Sequence, residues 1–240
     1  MITLRGSADR HHILRRKQEV WRTFEPDRRE DLLANGFGAL MAIEEIHLPP
    51  NEDAASLPLQ DVESITYVLE GALAQEDSTG RSGVVRVDEF QRIATGRVRH
   101  SERNASQTNW ARIFRLSLRP SEAELDCGQE QRLFPVAERR GVLRIIASPD
   151  GRRGSLRVHA DALVYSAILD VGHHLIHPLG PGRVAWLHVV RGKVALDGLV
   201  PVSGDSVGVT AEPAISCTAQ EDSEILLVDL GERSSARAAT

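Results

Sequence analysis

Residues 64–78 read Ser-Ile-Thr-Tyr-Val-Leu-Glu-Gly-Ala-Leu-Ala-Gln-Glu-Asp-Ser, and this stretch decides the fold. Its first part is rich in β-branched and aromatic side chains, which favour a strand. Gly71 supplies the backbone freedom of a tight turn, and the residues after it predict a return strand. A second stretch of this type, residues 186–196, has its turn glycine at position 192, 121 residues after Gly71. A repeat of so long a period predicts two similar domains rather than a solenoid.

The composition is that of a globular protein. The 240 residues are 41% hydrophobic and 26% charged, with a formal net charge of −5. This charge gives no general attraction for nucleic acid, and no apolar run predicts a membrane span. We therefore expect no direct nucleic-acid partner and no membrane. The N-terminus lacks the apolar core of a secretory signal, and Cys127 and Cys217 lack metal-site spacing, so we expect reduced thiols in a cytoplasmic protein.

Short strand-like segments separated by Gly and Pro turns occupy both halves of the chain, which is typical of all-β barrels or sandwiches. Ile2 and Leu4 alternate with polar residues and predict an opening strand. We predict an N-terminal barrel over residues 1–120, a polar connection over residues 121–141, and a C-terminal barrel over residues 142–231. Residues 232–240 are expected to form a flexible tail. In the second half, strands are predicted at residues 143–146, 156–159, 164–169, 185–190, 193–196, 206–209 and 224–230.

Several motifs resemble the pirin family of bicupins. In the first half these are residues 65–71, Glu-Asp-Ser at 76–78, residues 83–86 and Arg-His-Ser-Glu at 99–102. In the second half they include His-Pro-Leu at 177–179 and Val-Arg-Gly at 190–192. The resemblance covers roughly residues 36–230 and is closest to bacterial pirins similar to quercetin 2,3-dioxygenases. It implies two cupin β-barrels (double-stranded β-helices) packed together, with one metal, usually iron, in the N-terminal barrel.

The family's metal ligands are two histidines of a His-Pro-His motif before the hairpin, and the histidine and glutamate of His-Ser-Glu. In this chain the first motif falls on Leu57-Pro58-Leu59, whereas His100 and Glu102 are present. Residues two apart on a strand point to the same side of the sheet, so Leu57 and Leu59 replace two ligand nitrogens by methyl groups on one face. A divalent transition metal usually needs three or more good ligands. We therefore expect no cofactor and an apolar floor in the N-terminal barrel. The protein is then expected to be a non-catalytic bicupin that binds a small molecule in this barrel or a protein partner.

Glu63 provides an alternative to this loss. Asp61 and Glu63 share parity with positions 57 and 59, and cupins often use a glutamate near this position as a ligand. His100, Glu102 and Glu63 would then hold a single divalent metal such as Fe, Zn, Ni, Mn or Cu. Without a metal, His100 is expected to be an interior histidine paired with Glu102, or Glu102 to be a solvated residue of the barrel rim.

Two enzymatic alternatives follow from the same residues. One is a quercetin 2,3-dioxygenase-like oxygenase, in which the metal would orient and activate substrate and oxygen. The other is a metal-independent cupin enzyme in which Glu102 acts as a base. The resemblance also implies a regulatory alternative, the control of a transcription-factor partner.

The second half holds further histidines. His177 is predicted to line a pocket, because its His-Pro-Leu takes the place of the first barrel's ligand strand. His173 and His174 are predicted to lie in a loop or on the surface. His188 replaces Tyr67 in the repeat and is predicted to be structural.

Overall fold

The computed structural model describes residues 1–15, 17–26, 30–54, 62–94, 100–121 and 128–231, and these form an all-β bicupin. The strands of the first half are β1 (Ile2–Arg5), β2 (His11–Arg15), β3 (Gln18–Arg22), β4 (Leu40–Leu48), β5 (Glu63–Glu70), β6 (Ala72–Asp77), β7 (Ser82–Arg86), β8 (Glu89–Ala94), β9 (His100–Asn104) and β10 (Ala111–Leu118). Those that follow are β11 (Gln129–Leu133), β12 (Arg144–Ser148), β13 (Leu156–Arg157), β14 (Ala162–Leu169), β15 (His174–Pro178), β16 (Arg183–Arg191), β17 (Val194–Ala195), β18 (Ser206–Val209), β19 (Ala214–Ala219) and β20 (Ser223–Gly231). One short helix, α1 (Val136–Arg139), and two 3₁₀ turns, Ser7–Asp9 and Arg152–Gly154, complete the described elements.

Each domain consists of a large and a small sheet. The first large sheet has the order β11-β8-β5-β10-β4-β3-β2, and the first small sheet is β7-β6-β9. The second large sheet has the order β1-β18-β16-β20-β14-β12-β13, and the second small sheet is β15-β19-β17. The two predicted barrels are therefore confirmed, and within each one a small sheet faces part of a large sheet.

The two turn glycines occupy equivalent places in the two domains. Gly71 joins β5 to β6 with φ of +79°, and Gly192 lies between β16 and β17 with φ of +86°. A Cβ atom at Gly71 would lie 2.9 Å from the Trp110 carbonyl oxygen, and one at Gly192 would lie 2.4 Å from the Asp222 carbonyl oxygen. Both turns therefore need glycine for its left-handed backbone and for close approach to the neighbouring chain, as the repeat predicted.

A shared apolar core joins the domains. The two large sheets face each other and bury a cluster that includes Tyr67, Phe90 and Phe114 from the first domain and Trp186 and Val228 from the second. Removal of this much aromatic and aliphatic surface from water is the main favourable term in folding. Two further clusters fill the interiors of the individual barrels.

Two strands pair across the predicted division of the chain at residue 120. Strand β1 pairs with β18, with Ile2 opposite Val209, so the N-terminal residues belong to the second large sheet. The N-terminal amine also lies 2.9 Å from Glu212 Oε1. Strand β11, in the predicted connection, pairs with β8 and extends the first large sheet. Each domain thus takes an edge strand from outside its predicted bounds, because backbone groups at a sheet edge accept whichever extended segment reaches them.

Some predictions fall on undescribed residues: Leu57, Leu59, Cys127 and the tail over residues 232–240. Among the residues that the structure describes, no helix is long and apolar enough to cross a membrane.

Candidate functional site

The strands of the first large sheet present alternate residues to the first barrel. In β5, Ile65 and Tyr67 join the core between the domains, whereas Val68 joins the cluster inside the first barrel. Thr66 is two residues from Val68, and residues two apart on a strand share a face, so Thr66 also points into the first barrel. The innermost layer is apolar, because Val68, Ile113, Ile46 and Val20 are register partners across four strands.

The next layer of this barrel is polar along six strands. Each of its residues is the direct register partner of the next. We call this row the polar belt; its members are Gln131, Gln91, Thr66, Arg115, Glu44 and Arg22. Within it, the Arg22 Nε donates to Glu44 Oε1 at 2.8 Å. The described strands of the first barrel therefore carry one apolar layer and one polar layer, and the apolar floor expected at positions 57 and 59 lies outside the described residues.

The first small sheet faces the belt with Gln75 and Glu102, which are register partners on β6 and β9. The Arg115 guanidinium donates from Nη2 to Glu102 Oε2 and so links the large sheet to the small one. Only 7% of the Arg115 side chain and 12% of the Glu102 side chain are exposed. Charge-assisted pairs that are largely withdrawn from water are strong when their geometry is good.

Several polar atoms of this region have no hydrogen-bond partner within the described structure. They are the Thr66 hydroxyl oxygen, both amide atoms of Gln75 and the Gln91 carbonyl oxygen. All three residues are at least nine-tenths buried. Buried polar atoms in native proteins are nearly always bonded to protein, water or ligand. Within the described ranges, the inward side of the first barrel thus carries donors and acceptors that have no partner.

His100 and Glu102 are both on β9, but they are not paired with each other. His100 is half-buried and lies opposite Asp77 of β6. Glu102 instead accepts a hydrogen bond from Arg115. The prediction of a His100–Glu102 pair is therefore wrong, because a guanidinium from the facing sheet reaches the carboxylate.

Glu63 faces away from the barrel interior. It shares the side of β5 with Ile65 and Tyr67, and it is fully buried between the domains. Arg92 Nη2 donates to its Oε1 at 2.8 Å, and the backbone N–H groups of His159 and Ala160 donate to its Oε2 at 2.6 and 3.0 Å. Parity holds only along an uninterrupted strand, and β5 begins at Glu63. The structure therefore assigns Glu63 to the contact between domains and does not bring it together with His100 and Glu102.

The second barrel encloses an apolar cluster, and a contact between a histidine and an aspartate lies beside it. His177 Nε2 lies 2.8 Å from Asp229 Oδ2, and its ring is 4.9 Å from the Tyr165 ring. It lines a narrow void together with Ile215 and Cys217. Burial raises the pKa of the Cys217 thiol to about 11, so the thiolate needed for nucleophilic chemistry is not available at neutral pH.

The other histidines lie where their sequence context predicted. His173 bonds the Gly141 carbonyl oxygen through Nε2 at 2.9 Å and is half-buried, and His174 is exposed on β15. His188 is fully buried between the domains, and its Nδ1 lies 2.8 Å from the Ser206 hydroxyl oxygen. Its structural role is confirmed.

Comparisons with known proteins agree with this architecture. Residues 27–117 match the pirin family model, and residues 145–230 match the model of the quercetinase C-terminal cupin domain. A protein of Escherichia coli K12 named quercetin 2,3-dioxygenase is 34% identical over 231 residues, which cover 96% of this chain and 99% of that protein. The chain belongs to the pirin family.

Two further relatives extend the comparison. A putative quercetin 2,3-dioxygenase of Zymomonas mobilis is 31% identical, covering 93% of this pirin and 91% of the relative. The crystal structure of the bacterial pirin YhhW of Escherichia coli in complex with nickel(II) has a TM-score of 0.89 at 33% identity, and covers 97% of this chain and 100% of that chain.

The described residues of this pirin do not fit the family's metal. No group of three or more His, Cys, Asp or Glu side chains in the described ranges is arranged to hold a metal ion. Of the two residues that the resemblance makes ligands and that this chain retains, Glu102 is bonded by a guanidinium, and a second cation on the same carboxylate would meet a like charge. A ligand set of one histidine and one neutralised carboxylate falls short of what a transition metal requires.

Arg115 is the site residue that the sequence did not reveal. Residues 110–118 alternate apolar and polar side chains, a pattern that predicts a half-buried strand. The strand β10 is present, but nearly all of its residues are buried, because both of its faces are covered. Alternation assigns the residues of a strand to two faces, but it does not predict which face lines the barrel interior. A positively charged residue on the same face as Ile113 was the available signal.

Proposed function

We propose that this pirin is a non-catalytic binding protein that takes up a small uncharged molecule, rich in hydrogen-bonding groups, inside its first barrel. The observation that carries the proposal is the set of unpartnered buried atoms on Thr66, Gln75 and Gln91. An unpartnered buried polar atom costs about 1–3 kcal/mol. A ligand that supplies the missing partners recovers this free energy on binding.

The charges of the region argue for an uncharged ligand. Arg22 is paired with Glu44 and Arg115 with Glu102, so each cation already has its anion. A carboxylate ligand would have to displace Glu102 and leave that group buried without a counter-ion, which is costly. The unpartnered groups offer both donors and acceptors, since the Gln75 amide NH2 group donates and its carbonyl oxygen accepts.

The names of the relatives favour a second candidate function, a metal-dependent quercetin 2,3-dioxygenase. The two functions are separated by metal content and oxygen consumption. The protein is purified from cells supplied with iron, manganese, cobalt, nickel, copper and zinc, and its metal is measured by mass spectrometry. We expect substoichiometric metal and no oxygen consumption with quercetin. Stoichiometric metal with quercetin-dependent oxygen consumption would contradict the proposal and support the oxygenase.

Ligand class is tested by thermal unfolding with matched probes. Glycerol, acetamide and glucose are the uncharged probes, and acetate and ethylammonium are the charged ones. We expect at least one uncharged probe to raise the melting temperature and the charged probes not to. Thr66→Val removes one hydroxyl at nearly constant volume and should weaken binding about 5-fold, the worth of one hydrogen bond of about 1 kcal/mol.

Thr218→Val is the control, because Thr218 lies on β19 of the second small sheet and leaves the first barrel unchanged. Equal stabilisation by acetate, no response to any uncharged probe, or equal weakening by both valine substitutions would each refute the assignment of the ligand to the belt.

A further inference from the structure

We propose that Arg115 is an internal cation that takes the place of a metal ion in the first barrel and excludes divalent metals from Glu102. The inference deepens the proposed function, since it rests on a first barrel without a resident metal. It assigns a specific residue as the cause of that state, in addition to the leucines at positions 57 and 59.

The position of the guanidinium supports this assignment. Arg115 extends from β10 of the large sheet, and Glu102 from β9 of the small sheet, so the ion pair crosses the barrel. Glu102 is the carboxylate that the family resemblance makes a metal ligand. The guanidinium therefore supplies positive charge to that carboxylate from the facing sheet, as a bound metal would.

The charge of Arg115 is permanent. Arginine does not lose its proton in proteins, and this side chain is 7% exposed, so water screens it little. A divalent ion on Glu102 would lie next to a fixed like charge, and like-charge contacts strongly oppose binding. We expect the exclusion to persist even when the missing histidines are restored.

The other arginine on the same strand provides a matched control. Arg112 lies on the opposite face of β10, where its Nε donates to Glu45 Oε1 at 2.8 Å and its Nη2 to the Val190 carbonyl oxygen at 3.4 Å. It therefore belongs to the contact between domains and not to the barrel interior. Removal of Arg112 changes the charge of the protein by the same amount without changing the surroundings of Glu102.

The test measures nickel(II) binding by calorimetry in a set of variants, because a solved relative binds this ion. The set is Leu57→His/Leu59→His alone, the same pair with Arg115→Met, and the same pair with Arg112→Met. We expect the Arg115→Met combination to bind nickel(II) on the order of 100-fold more tightly than the histidine pair alone. The Arg112→Met combination should bind like the histidine pair alone.

Equal nickel(II) affinity with and without Arg115 would overturn the inference. Thermal unfolding of each variant shows that it is folded, and Arg115→Gln, which keeps a polar side chain, replaces Arg115→Met if the latter does not fold. The result is separable from the proposed function. Stoichiometric metal in the unaltered protein would refute that function, whereas the comparison among variants concerns only Arg115.

Discussion

The two barrels have matching strand register, and one row of inward-facing residues is polar in the first barrel and mostly apolar in the second. Thr66 on β5 and Leu187 on β16 occupy matching positions in the two domains. The residues paired with them on the neighbouring strands match as well. The first barrel thus places Gln91, Thr66, Arg115 and Glu44 in one row, and the second places Val207, Leu187, Leu227 and Tyr165 in the same row. On the small sheets, Asn104 pairs with Leu73 and Ala219 pairs with Val194, so Asn104 and Ala219 occupy matching positions. Glu102 and Cys217, each two residues earlier, therefore also match.

The difference teaches that backbone register sets which positions face inward, while side-chain chemistry sets what each barrel can do. The second barrel buries its row among aliphatic neighbours, which stabilises the fold. The first barrel keeps a charge-balanced polar row above an apolar layer. A polar row of this kind adds less to stability than an apolar one would.

The largest effect is expected when the belt's charge is moved into the second barrel. Leu227 is 1% exposed, and it occupies the place that Arg115 has in the first barrel. Leu227→Arg would bury a cation among Leu187 and Val207 with no glutamate at the Cys217 position to pair with it. We expect a loss of more than about 5 kcal/mol, enough to unfold a typical domain. Circular dichroism during urea unfolding measures the change.

Leu227→Met is the control, because it conserves volume and polarity and should cost less than about 1.5 kcal/mol. If Leu227→Arg were tolerated as well as Leu227→Met, the second barrel could accept a polar row. The contrast between the interiors would then carry no information about function.

The fold could be predicted from local signals, because the Gly71 and Gly192 hairpins are defined by β-branched runs and a left-handed turn. The site could not. Arg115 and Glu102 are 13 residues apart and on different sheets, so only the closed fold shows that they meet. Glu63 was misplaced for a related reason: its parity was counted through residues before the strand begins. The exchange of β1 into the second sheet also depends on long-range pairing that no local pattern encodes.

The turn glycines give a second, intermediate comparison between the domains. Gly192→Ala would place a Cβ 2.4 Å from both the Asp222 carbonyl oxygen and the Ser223 hydroxyl oxygen, whereas Gly71→Ala would have its nearest contact at 2.9 Å. Both also hold alanine at positive φ, which costs about 1–2 kcal/mol. We expect losses of about 4 kcal/mol at Gly192 and about 2–3 kcal/mol at Gly71, because a closer backbone contact forces a larger shift.

Gly172→Ala separates backbone strain from crowding. Gly172 has φ of +82° with nothing within 4 Å of its ideal Cβ position. Gly172→Ala should therefore lower the free energy of unfolding only by the backbone strain of alanine at positive φ. Equal losses at Gly71, Gly192 and Gly172 in urea unfolding would show that close approach does not contribute, and that the two hairpins are equivalent only in backbone conformation.

The smallest effect concerns Tyr67 and His188, which occupy matching positions on the two large sheets and both face the core between the domains. Burial, with a further contribution from Arg10, lowers the pKa of His188 to about 3. The unfolded chain binds a proton here below about pH 6.5 and the folded chain does not, so stability is lost as pH falls from about 6.5 towards 3. The slope is up to about 1.4 kcal/mol per pH unit. His188→Gln should therefore reduce the stability difference between pH 7 and pH 5 by about 2 kcal/mol in urea unfolding.

His174→Gln, at an exposed position on β15, should leave that difference unchanged. An identical pH dependence in wild type and His188→Gln would mean that the core between the domains admits the charged imidazole and that burial does not keep this ring neutral.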